Sequence, residues 1–246
     1  MAGAPGEVPE RVLLVGNSRW HWAAPGEESL RCWHAPPPQG RPLEGWPGLK
    51  AWARVGTVAP QLDLPADREL RLADVPLRQA PPWLGIDRAL AGWQAWRHQR
   101  AGVLVADAGT ALSLTRVDGA GVFRGGRISA GVALQLRGLG QSTALLPSLE
   151  SGSLELDRDP WPQATALAMG WGCLQACAGA IAEAWADVAC DGLGADQPWA
   201  LWLTGGDGPA LAPLLEQRGL AFHWAPDLCL EALAELAGSV RPGPDP

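Results

Sequence analysis

The chain has 246 residues, 47% of them hydrophobic, enough to fill one large domain or two half-size ones. A formal net charge of -7 argues against a nucleic-acid surface, which needs clustered Lys and Arg to neutralise phosphates, and favours a small-molecule partner. Residues 1–10 lack a basic stretch followed by an apolar core, and no uninterrupted apolar run reaches the roughly 20 residues that span a bilayer, so the expectation is a cytoplasmic protein without membrane contact.

In chain order, residues 12–15 form a short apolar run that ends in Gly16-Asn17-Ser18, and 20–24 resume the apolar character, which reads as strand, tight turn, strand. Pro36-Pro37-Pro38-Gln39-Gly40 is a surface loop. Past Pro81 and Pro82, Gly85-Ile86-Asp87-Arg88 leads into a segment of helical composition over 89–99, so Asp87 stands near a helix start. The same grammar then restarts: apolar 103–106, a turn at Asp107-Ala108-Gly109-Thr110, and a returning strand at 112–114. Ala-rich residues 165–188 are the clearest helix. A strand over 199–203 enters Thr204-Gly205-Gly206-Asp207, followed by a helix over 209–217, a strand near 220–224 and a closing helix from about 227. Strands alternating with helices in two similar halves specify an α/β protein. Five cysteines (Cys32, Cys173, Cys177, Cys190 and Cys229), an odd number without a CxxC pair, suit neither a disulfide framework nor zinc and read as buried apolar fillers. The 14 tryptophans beside no tyrosine read as lineage bias rather than a cofactor box.

Glycine lets backbone amides approach phosphate oxygens without a Cβ in the way, and the hydroxyls of Ser18 and Thr110 can donate further bonds. Any one of the three glycine turns could merely reverse the chain; their order and spacing carry more weight. Asp87 reads either as a carboxylate that accepts a proton or as a helix cap, with Arg88 then a surface ion-pair residue.

In that order the turns resemble the two phosphate motifs and the adenosine motif of the actin, hexokinase and heat-shock ATPase superfamily. One family within it, type III pantothenate kinase, adds a GxDR motif between the first two turns, where Gly85-Ile86-Asp87-Arg88 stands. The resemblance continues in Gly125-Gly126-Arg127-Ile128 with Gly131, in Thr143-Ala144-Leu145-Leu146-Pro147 and in Asp227-Leu228-Cys229-Leu230-Glu231, covering about 12–236.

It implies two actin-like (ribonuclease H-like) domains, each a mixed β-sheet flanked by helices: 1–98 with the first phosphate loop and GxDR, and 99–240 with the second phosphate loop and the adenosine loop. Residues 241–246 read as a disordered tail. It also implies transfer of the γ-phosphoryl group of ATP to pantothenate in the first step of coenzyme A biosynthesis. ATP would bind in the cleft, accompanied by Mg²⁺ and assisted by K⁺ or NH₄⁺, and the enzyme would be a homodimer. Carried over residue by residue, Gly16, Asn17, Ser18, Arg19, His21, Thr110, Gly205 and Gly206 match ATP contacts, and Asp107 matches the monovalent-cation carboxylate. Gly85, Ile86, Asp87 and Arg88 match the pantothenate segment, with Asp87 at the catalytic base position. Thr165 is the nearest threonine to the family's substrate contact, although ungapped alignment lands on Gln163.

The chain departs from the family pattern in four places. Leu14 stands where the first motif carries an acidic residue, His21 where lysine is common, and Thr115 where many members place Asp. The aromatic residue often found before GxDR is displaced, with Pro81 and Pro82 there and Trp83 close by, which reads either as lining the pantothenate pocket or as core. The Gly16-Asn17-Ser18-Arg19 and His21-Trp22 pattern resembles a cyanobacterial-like variant of the family. The alternative readings are a kinase of the same superfamily acting on another small molecule, and a catalytically weakened nucleotide-binding regulatory protein.

Overall fold

Residues 12–15 and 103–106, the two apolar runs that precede glycine turns, become the strands around which two sheets assemble. The computed structural model describes residues 9–40, 45–149, 159–190 and 198–238. The chain divides into one unit made of Met1–Gln94 with Asp227–Pro246 and a second made of Ala95–Pro226. Chain order alone had set the division at 98/99 and left the closing helix with the second half; the tail at 241–246 lies outside the described residues.

In the first unit β1 (Arg11–Val15) forms an antiparallel hairpin with β2 (Trp20–Pro25), which pairs with β3 (Leu30–Ala35), while β4 (Leu49–Arg54) runs parallel to β1 on its other side. One face of this sheet is a tryptophan layer. Leu13, Val15, Trp20, Trp22, Leu49 and Trp52 are buried there against Trp33 and Trp46. The Trp22 and Trp33 rings stack at 6.0 Å, and the indole N–H groups of Trp46 and Trp52 donate to the carbonyls of Leu62 and Pro65 at 2.9 and 2.7 Å. Much of the unusual tryptophan content is therefore structural core. Helix α5 (Leu228–Ala237) packs on β1, β2 and β4. The Cys32 thiol, in contact with Asp227 at the head of α5, is held up at about 12 by burial and by that carboxylate. Cys32 and Cys229 are half-buried, whereas Cys173 and Cys177 are buried as expected.

Helix α1 (Ile86–Gln99) buries Ile86, Ala89, Leu90 and Trp93, the spacing of one helical face. Asp87 lies in its first turn and Arg97 and His98 in its last, which suits the helix dipole at both ends.

The second unit repeats the first unit's strand arrangement. Strand β5 (Gly102–Ala108) pairs antiparallel with β6 (Ala111–Val117) and parallel with β8 (Trp199–Thr204); β7 (Phe123–Ala130) and β9 (His223–Trp224) complete the order β7-β6-β5-β8-β9. Helix α3 (Thr165–Cys190) packs against α2 (Val132–Ser142), α4 (Gly208–Gln217), β5, β6 and β8. Its Thr165–Val188 portion is long and apolar enough to cross a membrane by length and composition, and it buries Cys173, Leu174, Cys177, Ala178 and Ile181 in this unit's core. Two mixed sheets flanked by helices match the expected fold class. The expected strand near 220–224 is limited to His223–Trp224, and β3, β4, β7 and α2 were not anticipated.

Candidate active site

The turn between β1 and β2 is closed by the Gly16 N–H donating to the Arg19 carbonyl at 3.0 Å. A Cβ at Gly16 would sit 2.7 Å from that oxygen and 3.0 Å from His21 Nε2, so the turn requires glycine. Asn17, Ser18 and Arg19 are exposed at its tip. Polar and cationic side chains around a tight backbone turn suit phosphate oxygens. His21 lies opposite Leu14 on β1, and its Nδ1 is 2.9 Å from Nδ1 of His34, its partner on β3. Burial, followed by His34 and Arg19, lowers the His21 pKa to about 4 against the opposing pull of Asp227, so its ring is neutral near pH 7.

The segment leaving β4 supports this turn and was not singled out from the sequence. The N–H groups of Val55 and Gly56 donate to the Val15 carbonyl at 2.8 and 3.2 Å, and a Cβ at Gly56 would lie 2.7 Å from the Gly16 oxygen. Val55 also lines a cleft of about 310 Å³ with Arg54, Glu69, Arg71, Gly85 and Ile86. The end of β4 thus links the first turn to the GxDR segment. Within the cleft, Glu69 pairs with Arg54 at 2.9 Å and with Arg71 at 3.3 Å.

Asp87 is half-buried at the head of α1, and its Oδ1 accepts the Arg88 N–H at 2.8 Å. The carboxylate folds back over Gly85, where a Cβ would meet Oδ1 at 2.6 Å, which explains the glycine two residues earlier. Burial raises its pKa, opposed by the Arg88 N–H and the Arg88 charge, so Asp87 is a stronger base than an exposed aspartate. Trp83, just ahead of this segment, is 83% exposed and so is not part of the core.

In the second unit the Gly109 N–H donates to the Ala111 carbonyl, and the Gly131 N–H to the Thr110 carbonyl, each at 3.1 Å. The Asp207 N–H donates to the Ala108 carbonyl at 2.8 Å. Gly205 has φ +92, and a Cβ there would collide with the Ala108 carbonyl and come within 2.6 Å of Asp107 Oδ1. Asp107, Thr110 and Gly205 are therefore gathered at the ends of β5 and β8, with Gly206 exposed beside them. Asp207, which the sequence reading passed over, accepts the Val132 N–H at the start of α2, and burial raises its pKa. Its only sequence signal was its place after Gly205-Gly206. Thr165 and Gln163 are both exposed at the start of α3.

Among the described residues no three His, Cys, Asp or Glu side chains gather as a metal cage, and Leu14 offers no oxygen. Mg²⁺ commonly keeps several waters and takes only one or two carboxylates plus substrate phosphates, so these residues fit an ion carried in on a nucleotide.

A family model described as type III pantothenate kinase matches residues 68–187. The type III pantothenate kinase of Thermosynechococcus vestitus is 37% identical, covering 88% of this chain and 84% of the relative. That of Synechococcus elongatus is 35% identical, covering 95% and 98%. A solved structure, described as a Baf family transcriptional activator from Campylobacter jejuni, superposes with a TM-score of 0.59 at 16% identity over 93% of this chain and 98% of that one, which is a likeness of fold. Identity at this level over nearly the whole chain means that the chain belongs to the type III pantothenate kinase family.

Proposed function

We infer that this protein transfers the γ-phosphoryl group of ATP to the 4'-hydroxyl of pantothenate, giving 4'-phosphopantothenate and ADP at the first step of coenzyme A biosynthesis. The observation that carries the reading is Asp87: a half-buried carboxylate with a raised pKa, inside the one motif that sets this family apart from other kinases of its superfamily. Asp87 orients the substrate hydroxyl and takes its proton as the hydroxyl oxygen bonds to the γ-phosphorus. The bond from that phosphorus to the β–γ bridging oxygen breaks, and ADP leaves.

Gly85, Ile86, Arg88 and Thr165 contact pantothenate in this reading, and the cleft against Gly85 and Ile86 gives room for it. The tight turns at Gly16 and Thr110 take the phosphates, with Asn17, Ser18, Arg19 and His21 around the first, and Gly205 and Gly206 take the adenosine. Mg²⁺ arrives with ATP and offsets phosphate charge. Asp107, whose Oδ1 lies against Gly205, holds K⁺ or NH₄⁺. Exposed Ile128, Leu145 and Trp161 are apolar surface that a second copy in a homodimer would cover. A reaction that draws on ATP is consistent with the expected cytoplasmic setting.

The test is ADP release from purified protein with ATP, Mg²⁺ and potassium, screened against pantothenate, a panel of sugars and short carboxylates. Turnover with pantothenate alone is expected. Turnover on a sugar with none on pantothenate would overturn the assignment.

A further inference from the structure

The family's usual acidic residue is missing at Leu14, and the structure shows what stands beside the gap. Leu14, His21 and His34 are consecutive cross-strand partners on β1, β2 and β3, so their side chains share one face of the sheet. His21 Nε2 points back to the Gly16 turn, 3.0 Å from where a Gly16 Cβ would be. Its other nitrogen, Nδ1, is 2.9 Å from Nδ1 of His34, and the two rings meet edge-on with centroids 4.9 Å apart.

A contact of that length between two neutral imidazoles holds one proton: one Nδ1 donates and the other accepts. The direction decides what His21 offers to the turn. If His21 donates through Nδ1, its Nε2 is a bare lone pair aimed at the place where phosphate oxygens, themselves acceptors, would lie. If His34 donates, the proton of His21 sits on Nε2, and the turn gains a neutral N–H donor.

We propose that His34 is a positioning residue for phosphoryl transfer: its Nδ1–H fixes His21 as the Nε2–H tautomer, which donates a hydrogen bond to an ATP phosphate at the Gly16 turn. The proposal rests on the assignment of ATP to that turn. It gives the chain an uncharged donor beside the position where the family carries a carboxylate. Acting on His21 from its surroundings, burial, the His34 ring on β3 and Arg19 in the turn disfavour the imidazolium while Asp227 ahead of α5 favours it, and the balance leaves the His21 ring neutral, as an N–H to N contact requires.

Three variants and a spectroscopic readout test it. Two-bond ¹H–¹⁵N spectra of the wild type should report His21 as Nε2–H; His34→Ala should release it to a mixture of tautomers. His34→Asn, whose amide nitrogen takes the place of Nδ1 as a donor, should restore the Nε2–H form. ATP affinity measured by calorimetry without pantothenate should fall about 5- to 10-fold in His21→Ala, the loss of one hydrogen bond, fall by a smaller factor in His34→Ala, which frees the tautomer and the ring orientation, and recover in His34→Asn. His34→Ala added to His21→Ala should cost nothing further, because His34 acts only through His21. An Nδ1–H tautomer at His21 in the wild type would overturn the proposal, and so would unchanged ATP affinity in His34→Ala. Absence of ATP binding by the wild type, with the tautomer still present, would instead sink the nucleotide assignment at this turn.

Discussion

At the residue scale, the burial of Asp87 separates a catalytic role from a capping one. Its Oδ1 accepts the Arg88 N–H, as a cap would, and Asn caps helices about as well as Asp. A pure cap therefore predicts that Asp87→Asn leaves rate and stability near wild type. A general base predicts a fall in kcat of about 10²- to 10⁴-fold at saturating pantothenate, roughly 3 to 5 kcal/mol of barrier, with ATP binding little changed. Burial adds a second signature. Because it raises the Asp87 pKa, the protonated form is favoured in the fold, and the stability this confers is lost as pH rises through the folded-state pKa. At neutral pH the ionised carboxylate is thus a burden that Asn removes. Thermal unfolding should show Asp87→Asn more stable than wild type at pH 8, with the difference shrinking toward pH 4. Higher stability joined to lost turnover marks a group retained for chemistry. A kcat within about threefold of wild type would take Asp87 out of the mechanism.

At the scale of elements, the glycine after each parallel strand is held by the turn beside it. Gly205 is the stricter case, with φ +92 and no room for a Cβ against the Ala108 carbonyl. Gly205→Ala should cost about 1 to 3 kcal/mol in denaturant unfolding and raise the KM for ATP, whereas Gly206→Ala, with open space around it, should stay within about 0.5 kcal/mol of wild-type stability. Equal stability losses would mean that the turn is not locked. Gly205 was legible from the sequence because an apolar strand runs straight into it. Gly56, its counterpart in the first unit, was not, because Leu49–Arg54 carries Lys50 and Arg54 and does not read as a buried strand. Strand β7 hid for a related reason: an edge strand bearing Arg124, Gly125, Gly126 and Arg127 is mostly exposed and has no apolar alternation. Gly138 and Gly140 masked α2. The three glycine turns were readable because they follow buried strands, and Gly85 to Arg88 because they stand at a helix start; His34 and Asp207 were not, because the partner of each is distant in sequence.

At the scale of the whole molecule, two units with the same strand arrangement have kept unequal charge at the ends of their central strands. Asp107 remains on β5, and Leu14 fills the corresponding position on β1. If Asp107 holds a monovalent ion, turnover should rise when potassium or ammonium replaces sodium, and Asp107→Asn should flatten that response; equal wild-type rates in all three salts would remove the cation. The loss at Leu14 is tested by restoring the carboxylate. Leu14 is buried and sits directly across from His21, so Leu14→Asp places a charge in a spot built for an apolar side chain, and a stability loss of about 2 to 5 kcal/mol is expected even though β1 should still pair. The new carboxylate beside a neutral imidazole also favours the imidazolium, so the His21 pKa should rise from its value of about 4, which titration by NMR would register. If the family's metal-linked arrangement has been exchanged here for a hydrogen-bonding one, the wild type should turn over without the substitution. Leu14→Asp should then change the Mg²⁺ concentration needed for half-maximal rate without raising the maximal rate. An inactive wild type that gains turnover from Leu14→Asp would show a decayed site, and the chain would then be a nucleotide-binding protein that has lost its chemistry.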